Sequence, residues 1–309
     1  MRLILPVLAA LLLAGCDMDD FGPSDRFKAD FHYTLKPAER LSVENFNGEI
    51  EIAGWDEPSI EVTGVKYAST RETLDTIKVE VHETAGLTEI RTVRPNMLHG
   101  NQGARYLIRA PRKTVVDRIV SSNGAVRVHD MNAAARIHTS NGAVRVENTT
   151  GGVDAETSNG AIEVDSVSGQ LNLRTSNGRI RAEEVTGQCQ AETSNGPVTL
   201  RFKDAPDGPT RVNTSNGSVE ITMSKSPKNT VRAETSNGSI TLDLPGKTAA
   251  RLNAVTSQSS VSSDFEVTDN SGSPDKEKHH LEGNIGAGGP LIELTTRNGG
   301  IHLRKSAAN

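Results

Sequence analysis

Residues 135–164 read ARIHTSNGAVRVENTTGGVDAETSNGAIEV. Two copies of Thr-Ser-Asn-Gly stand 18 residues apart there, with their Asn at 141 and 159. Working outward, Asn-Gly recurs at Asn123, Asn141, Asn159, Asn177 and Asn195 with that same spacing of 18. It continues at Asn216 and Asn237 with a spacing of 21, and Gln258 follows after 21 more in a degenerate copy. Asn298-Gly299 closes a last copy after an insertion, and Asn47-Gly48 belongs to an isolated early one. Self-similarity at a fixed period marks a stacked-repeat architecture.

The residues around each Asn fix the geometry. Before it lie the pairs Ala135/Ile137, Val153/Ala155, Leu171/Leu173 and Cys189/Ala191; after it lie Val144/Val146, Ile162/Val164, Val198/Leu200 and Ile240/Leu242. Apolar residues at every second position mark a strand with one buried face. Each coil should therefore carry two short strands. Asn-Gly is expected to form one corner, because both residues tolerate positive φ. Thr150-Gly151-Gly152, Ser168-Gly169 and Thr186-Gly187 supply the opposite corner. The longer coils expand there, through Asp204 to Pro209 and Ser224 to Pro227.

Asn-Gly between two strands ordinarily signals a hairpin. Identical residues at one spacing instead suit coils stacked in register, each strand pairing in parallel with its copy ~4.8 Å away. The expected fold is all-β: a parallel β-solenoid with two short strands per 18–21-residue coil, an antiparallel N-terminal cap and a C-terminal cap. A meander or propeller is the alternative. Closely facing sheets leave little room for rings, which fits an aromatic content of 3%. Eight of the ten rings (Phe21, Phe27, Phe31, Tyr33, Phe46, Trp55, Tyr67 and Tyr106) precede the regular repeats. Residues 27–118 therefore read as a thicker β cap with a first coil. Within it, 77–83, 87–93 and 104–110 are expected as antiparallel strands. Residues 119–263 read as the regular coils, and 264–309 as an insertion, a C-terminal cap and the last coil.

The leader has its own pattern. Arg2 precedes a nearly uniform apolar run, Leu3 to Leu13, and Leu13-Ala14-Gly15-Cys16 closes it. The run is about half the ~20 residues that a spanning helix needs. It reads as a signal peptide over 1–15. Leu-Ala-Gly before Cys looks like a lipobox; an ordinary secretory signal is the alternative. The resemblance implies cleavage before Cys16, lipid on its sulfur, and membrane attachment through that lipid. Residues 16–26 then form the lipidated Cys and a short tether. Asp17 after the lipidated Cys, by likeness to enterobacterial lipoproteins, points to the periplasmic side of the inner membrane, with the outer membrane as the alternative. Loss of Arg2 with the leader leaves 33 basic against 39 acidic residues, a net of −6 with both signs interspersed. A nucleic-acid partner, which needs a basic face, is not expected. Cys189 is then the only thiol besides Cys16, so no internal disulfide is expected in the body.

Several features together resemble a bacterial family of unknown function that carries an adhesin label. They are the repeated Thr-Ser-Asn-Gly-x-Val/Ile, the early Leu41-Ser42-Val43-Glu44-Asn45-Phe46-Asn47-Gly48, the Ala110-Pro111 step, and the ending Gly283-Asn284-Ile285-Gly286-Ala287-Gly288-Gly289-Pro290 with Thr296-Arg297-Asn298-Gly299. The likeness spans roughly Phe31 to Leu303. It implies β-strand repeats and brings no catalytic residues with it.

Candidate chemistry reduces to ladders. Acids and bases alternate in neighbouring coils at Glu156, Arg174, Glu192 and at Arg145, Glu163, Arg181. Opposite charges on adjacent strands stabilise a sheet by ~0.2–1 kcal/mol per pair. They read as solvated salt ladders rather than as the paired acids of a glycosidase. The corner residues Asn123, Asn141, Asn159, Asn177, Asn195, Asn216, Asn237 and Asn298 read as structural. Cys189 shares the inward slot of Val153 and Leu171, and His279-His280 sits in a charged stretch. Neither a metal nor a cofactor is expected. Gly283-x-x-Gly286-x-Gly288-Gly289 lacks the Lys-Ser/Thr of a phosphate loop and reads as a turn. The function expected is a non-catalytic, adhesin-like binding or structural module facing an envelope protein or glycan. A carbohydrate-active enzyme and an envelope-stress sensory lipoprotein are the rivals.

Overall fold

The computed structural model describes residues 27–93, 101–268 and 279–306. The leader 1–15, Cys16 and the tether 16–26 lie outside the described residues. Two long sheets of 13 and 14 strands face each other. From Val115 to Pro245, successive copies of each strand pair in parallel: Ala135–Thr139 with Val153–Thr157 in one sheet, Val144–Thr150 with Ile162–Ser168 in the other. The register is one repeat, Ala135 opposite Val153 and Val144 opposite Ile162. The inward residues Val153, Ala155, Ile162, Val164, Leu171 and Leu173 are at most 2% exposed and belong to one continuous core. Such burial contributes about 25 cal/mol per Å² of apolar surface.

Each 18-residue coil has a further bend that the period-2 pattern does not announce. Asp130, Asn148, Ser166 and Glu184, again 18 apart, are left-handed, with φ of 59, 49, 54 and 51°. This region is unfavourable for L residues by ~1–2 kcal/mol. The bend redirects the chain so that Met131, Thr149, Val167 and Val185 are buried. In the longer coils, Phe202, Met223 and Leu244 are buried at the end of the second strand itself instead.

The Asn-Gly corner differs from expectation. Among the described copies only Gly48 has positive φ; Asn123-Gly124, Asn141-Gly142 and those after them do not. Glycine is required there for proximity. A Cβ on Gly178 would overlap the carbonyl oxygen of Gly160 in the coil beneath, and the same overlap recurs at each such Gly from 124 to 238 and at Gly299. The Thr of the motif has a partner role. Thr175 is buried; its Oγ1 donates to the Gly160 carbonyl at 2.9 Å and accepts from the Gly178 N–H at 3.2 Å. The donation repeats at Thr157, Thr193, Thr214 and Thr235. Thr175→Val keeps the shape and deletes both bonds, leaving a buried carbonyl without this donor. We expect a loss of about 1–3 kcal/mol in denaturant melts, most of it retained by Thr175→Ser.

The N-terminal region adds strands to both sheets. Arg40–Asn47 and Ile50–Trp55 form a first coil, parallel to Val115–Asn123 and Val126–His129. The antiparallel hairpin Lys78–Thr84/Leu87–Val93 extends one sheet beyond it. Gly103–Pro111 is not a third strand of that hairpin. It lies in the other sheet, parallel to Ile50–Trp55 and antiparallel to Ile60–Ala68, which in turn pairs with Phe27–Leu35.

The other end holds a correction to the expected order. The coil last in the chain, Leu291–Thr296 and Ile301–Ser306, is not last in space. It lies between the Asn237 coil and the Gln258 coil: Leu291–Thr296 pairs with both Val231–Glu234 and Ala250–Thr256. Ile301–Ser306 likewise pairs with both Ile240–Pro245 and Val261–Ser263. His280–Ile285 is antiparallel to the outer side of Ala250–Thr256. The Gly-rich turn 286–290 then carries the chain past the start of that strand to its inner side. Gly286 and Gly288, at φ of 57 and 74°, make this reversal possible. Phe265, Leu281 and Ile285 are buried as part of the core at this end.

Candidate functional site: a polar ridge and a charged face

The corner forms an exposed ridge. The Nδ2 of Asn141 donates to Oδ1 of Asn123 at 2.8 Å, and Asn159, Asn177 and Asn195 repeat the bond at 2.8 Å. Asn216, Asn237 and Asn298 continue it at 2.8, 2.7 and 2.6 Å. The eight amides form one uninterrupted column, and Ser158, Ser176, Ser194 and Ser215 stand exposed beside it. Asn298 joins directly to Asn237, which follows from the inserted position of the last coil.

Charged side chains cover the sheet faces. Arg174 pairs with Glu192 at 3.4 Å and Arg145 with Glu163 at 3.9 Å, both across coils. The alternation is only partly used. Glu156 lies 3.5 Å from His138, and Glu163 takes Arg179 as its closer partner. Several Arg reach along their own strand instead: Arg145 to Glu147 at 2.9 Å, Arg181 to Glu183 at 2.8 Å. Residues two apart on a strand share a face, so an acid there competes with the one on the next coil. Arg179 and its neighbours hold the Glu163 carboxyl below its usual range. Asp243 behaves oppositely: partial burial raises its pKa, Arg304 opposes that, and Glu220 adds to it. Thr222 Oγ1 donates to Asp243 at 3.4 Å.

Depressions on these faces are shallow. One of about 60 Å³ lies among Arg145, Glu147, Glu163, Asp165, Arg181 and Glu183. Another of about 120 Å³ lies among Gln190, Glu192, Arg211, Asn213, Arg232 and Glu234. Pockets for drug-sized ligands hold ~300–1,000 Å³, a range reached by an open depression of about 360 Å³ at the opposite corner, among Ser168, Gln170, Thr186, Gln188 and Asp207, but not by these two. These faces therefore offer a surface to be lain upon.

Sequence reading missed a cluster near the N-terminal cap. His129 Nδ1 is 2.8 Å from Asp130 and its Nε2 is 3.2 Å from Glu51. Arg112 bonds Asp56 at 2.9 Å and the Asp130 carbonyl at 2.9 Å. With both ring nitrogens held by carboxylates, the arrangement braces the left-handed Asp130 against the cap. The only signal in the sequence is that His129 and Asp130 occupy the slots just before and at the bend. Among the described residues no group of three or more His, Cys, Asp or Glu is placed to hold a metal ion. Cys189 is fully buried, and desolvation pushes its thiol up to about 12. It should remain unlabelled by a thiol reagent at pH 8 in the folded body and react fully in denaturant; fast native labelling would place it at the surface.

Fold and site together define a repetitive parallel β-solenoid with a polar corner column. The family described as Toastrack DUF4097 matches residues 33–232 and 210–304, and the chain belongs to that family. None of the curated proteins compared with it matches the chain. Among solved structures it is similar to a "putative adhesin" from Parabacteroides distasonis ATCC 8503 at 10% identity, covering 90% of this chain and 97% of that one, TM-score 0.48. A "putative adhesin" from Bacteroides fragilis NCTC 9343 matches at 9% identity over 92% and 99%, TM-score 0.39. A "putative lipid binding protein" from P. distasonis ATCC 8503 matches at 10% identity over 92% and 98%, TM-score 0.38.

Proposed function

We propose that the chain is a lipid-anchored envelope protein acting as a non-catalytic, adhesin-like binding or structural module. The observation that carries this reading is how the half-buried acids of the central coils are used. Glu147, Glu163, Glu183 and Glu192 are each paired with an Arg, either on the same strand or from a neighbouring coil. Such a face is suited to repeated weak contacts along an extended partner, an envelope protein or a glycan. The anchor rests on Cys16, with Asp17 favouring the inner membrane.

The test is capture. The soluble body, residues 17–309, is incubated with the envelope fraction of the source cells, and both retained and released material are identified by mass spectrometry. A retained component with no new fragments supports the module. Released oligosaccharides, absent with heat-denatured protein, overturn it in favour of a carbohydrate-active enzyme. The half-buried Asp243, its pKa raised by burial, is the carboxyl that this second reading would assign as proton donor. Asp243→Asn would then abolish release. Anchoring is tested separately: Cys16→Ser should move the protein from the membrane to the soluble fraction.

A further inference from the structure

The inserted last coil conflicts with the numbering of the repeat in an informative way. From Asn195 through Asn216 and Asn237 to Gln258 the 21-residue period is unbroken. Ile221 and Leu242 are register partners, and Val231 and Leu252 both pair with Ile292. The chain from 224 to 230 joins neighbouring coils. The chain from 245 to 251, of the same seven residues, joins coils with another coil wedged between them. The loop lengths and register therefore also suit the Gln258 coil seated directly on the Asn237 coil. Val231 would then face Leu252, Ala233 Ala254, Thr235 Thr256, and Ile240 Val261.

The side chains favour the inserted arrangement. Gly299 fits where a Cβ would overlap the Gly238 carbonyl, whereas the Gln258 coil carries Ser259 at that corner. Leu303 packs on Leu242, whereas the other coil carries Ser263 there. The Asn column likewise accepts Asn298 onto Asn237. A direct stack would seat in length and register but with a poorer corner and a polar residue against the core.

We propose that the Gln258 coil first stacks directly on the Asn237 coil, and that the C-terminal segment 279–306 then parts them and inserts as a wedge. The direct stack is a metastable state of the same chain. The Gly-rich turn 286–290 is the pivot that brings the segment around Ala250–Thr256.

The test uses the full chain with Cys16→Ser and Cys189→Ala as background. Arg232 and Asn253 both pair with Glu293 on opposite sides, so they are two strand spacings apart, ~9.6 Å. That exceeds the ~7 Å limit for a disulfide, while adjacent strands fall within it. Arg232→Cys/Asn253→Cys reports the direct stack, and Asn253→Cys/Glu293→Cys reports insertion. Oxidant pulses are given at intervals during refolding. The first pair should cross-link several-fold above a mismatched control pair at early times and stop doing so at late ones, as the second pair rises. Cross-linking of the first pair no higher than the control at every time overturns the proposal. If the variants do not fold, pulsed hydrogen exchange on the unmodified chain decides. Protection of residues 250–256 before 291–303 supports wedging, and protection of 291–303 first or simultaneously sinks it.

Discussion

Leu173→Asp and Val164→Asp are each expected to abolish the folded body. Leu173 is 0% and Val164 2% exposed, in the middle of the core column. Their neighbours in register are apolar: Ala155 and Ala191 beside Leu173, Val146 and Ala182 beside Val164. None can pair with a carboxylate. Leaving the charge buried costs several kcal/mol, and protonating it still leaves an unpartnered polar group worth ~2–7 kcal/mol. Domains are stable by only ~5–15 kcal/mol. The sign of the pH dependence follows. A buried Asp has a folded pKa above its unfolded ~3.9, so stability is greatest below ~3.9 and is lost as pH rises from there through the folded pKa. Circular dichroism should show no cooperative transition at pH 7 and partial recovery near pH 4, with Leu173→Asn showing no such recovery. Cooperative melting of either variant at pH 7 would mean that these side chains do not face inward.

The second large effect is expected from a single methyl group. Gly178→Ala places a Cβ into the Gly160 carbonyl oxygen, which is backbone and accepts from Thr175 Oγ1. Relief requires two coils to part at the corner, stretching the Thr and Asn columns with them. We expect ~3–5 kcal/mol, at the upper end of single substitutions. Gly246→Ala is the control, since nothing lies within 4 Å of a Cβ there. Equal melting midpoints for the two variants would show that the corner yields more easily than its geometry implies.

Much of this molecule was legible as pattern. Positions such as Val153, Ala155, Ile162 and Val164 identify the inward face because a period of two leaves a strand no other choice. Neighbour identity is a different kind of information. Coils share one template, so the spacing tells where a strand points but not which coil it lies against. The placement of Leu291–Ser306 inside the stack was therefore invisible, although Ser259 and Ser263 already mark the Gln258 coil as poorly suited to a central position. The Asn-Gly corner misled for a related reason. The dipeptide usually appears where φ must be positive, whereas here a carbonyl from the coil beneath excludes any Cβ, and that carbonyl is 18 residues away. In the charged face the sequence located Arg145, Glu163 and Arg181 but not their pairings. Each long guanidinium chooses between an acid on the next coil and one two residues along.

The Thr and Asn columns link each coil only to the ones beside it, and the regular coils all offer the same two faces. Length is thus a quantised property of this architecture. Duplicating one 18-residue unit, such as 142–159, would lengthen the body by one strand spacing, ~4.8 Å, and leave both ends undisturbed. The distance between the two ends of the body can change by whole coils without any redesign of the core.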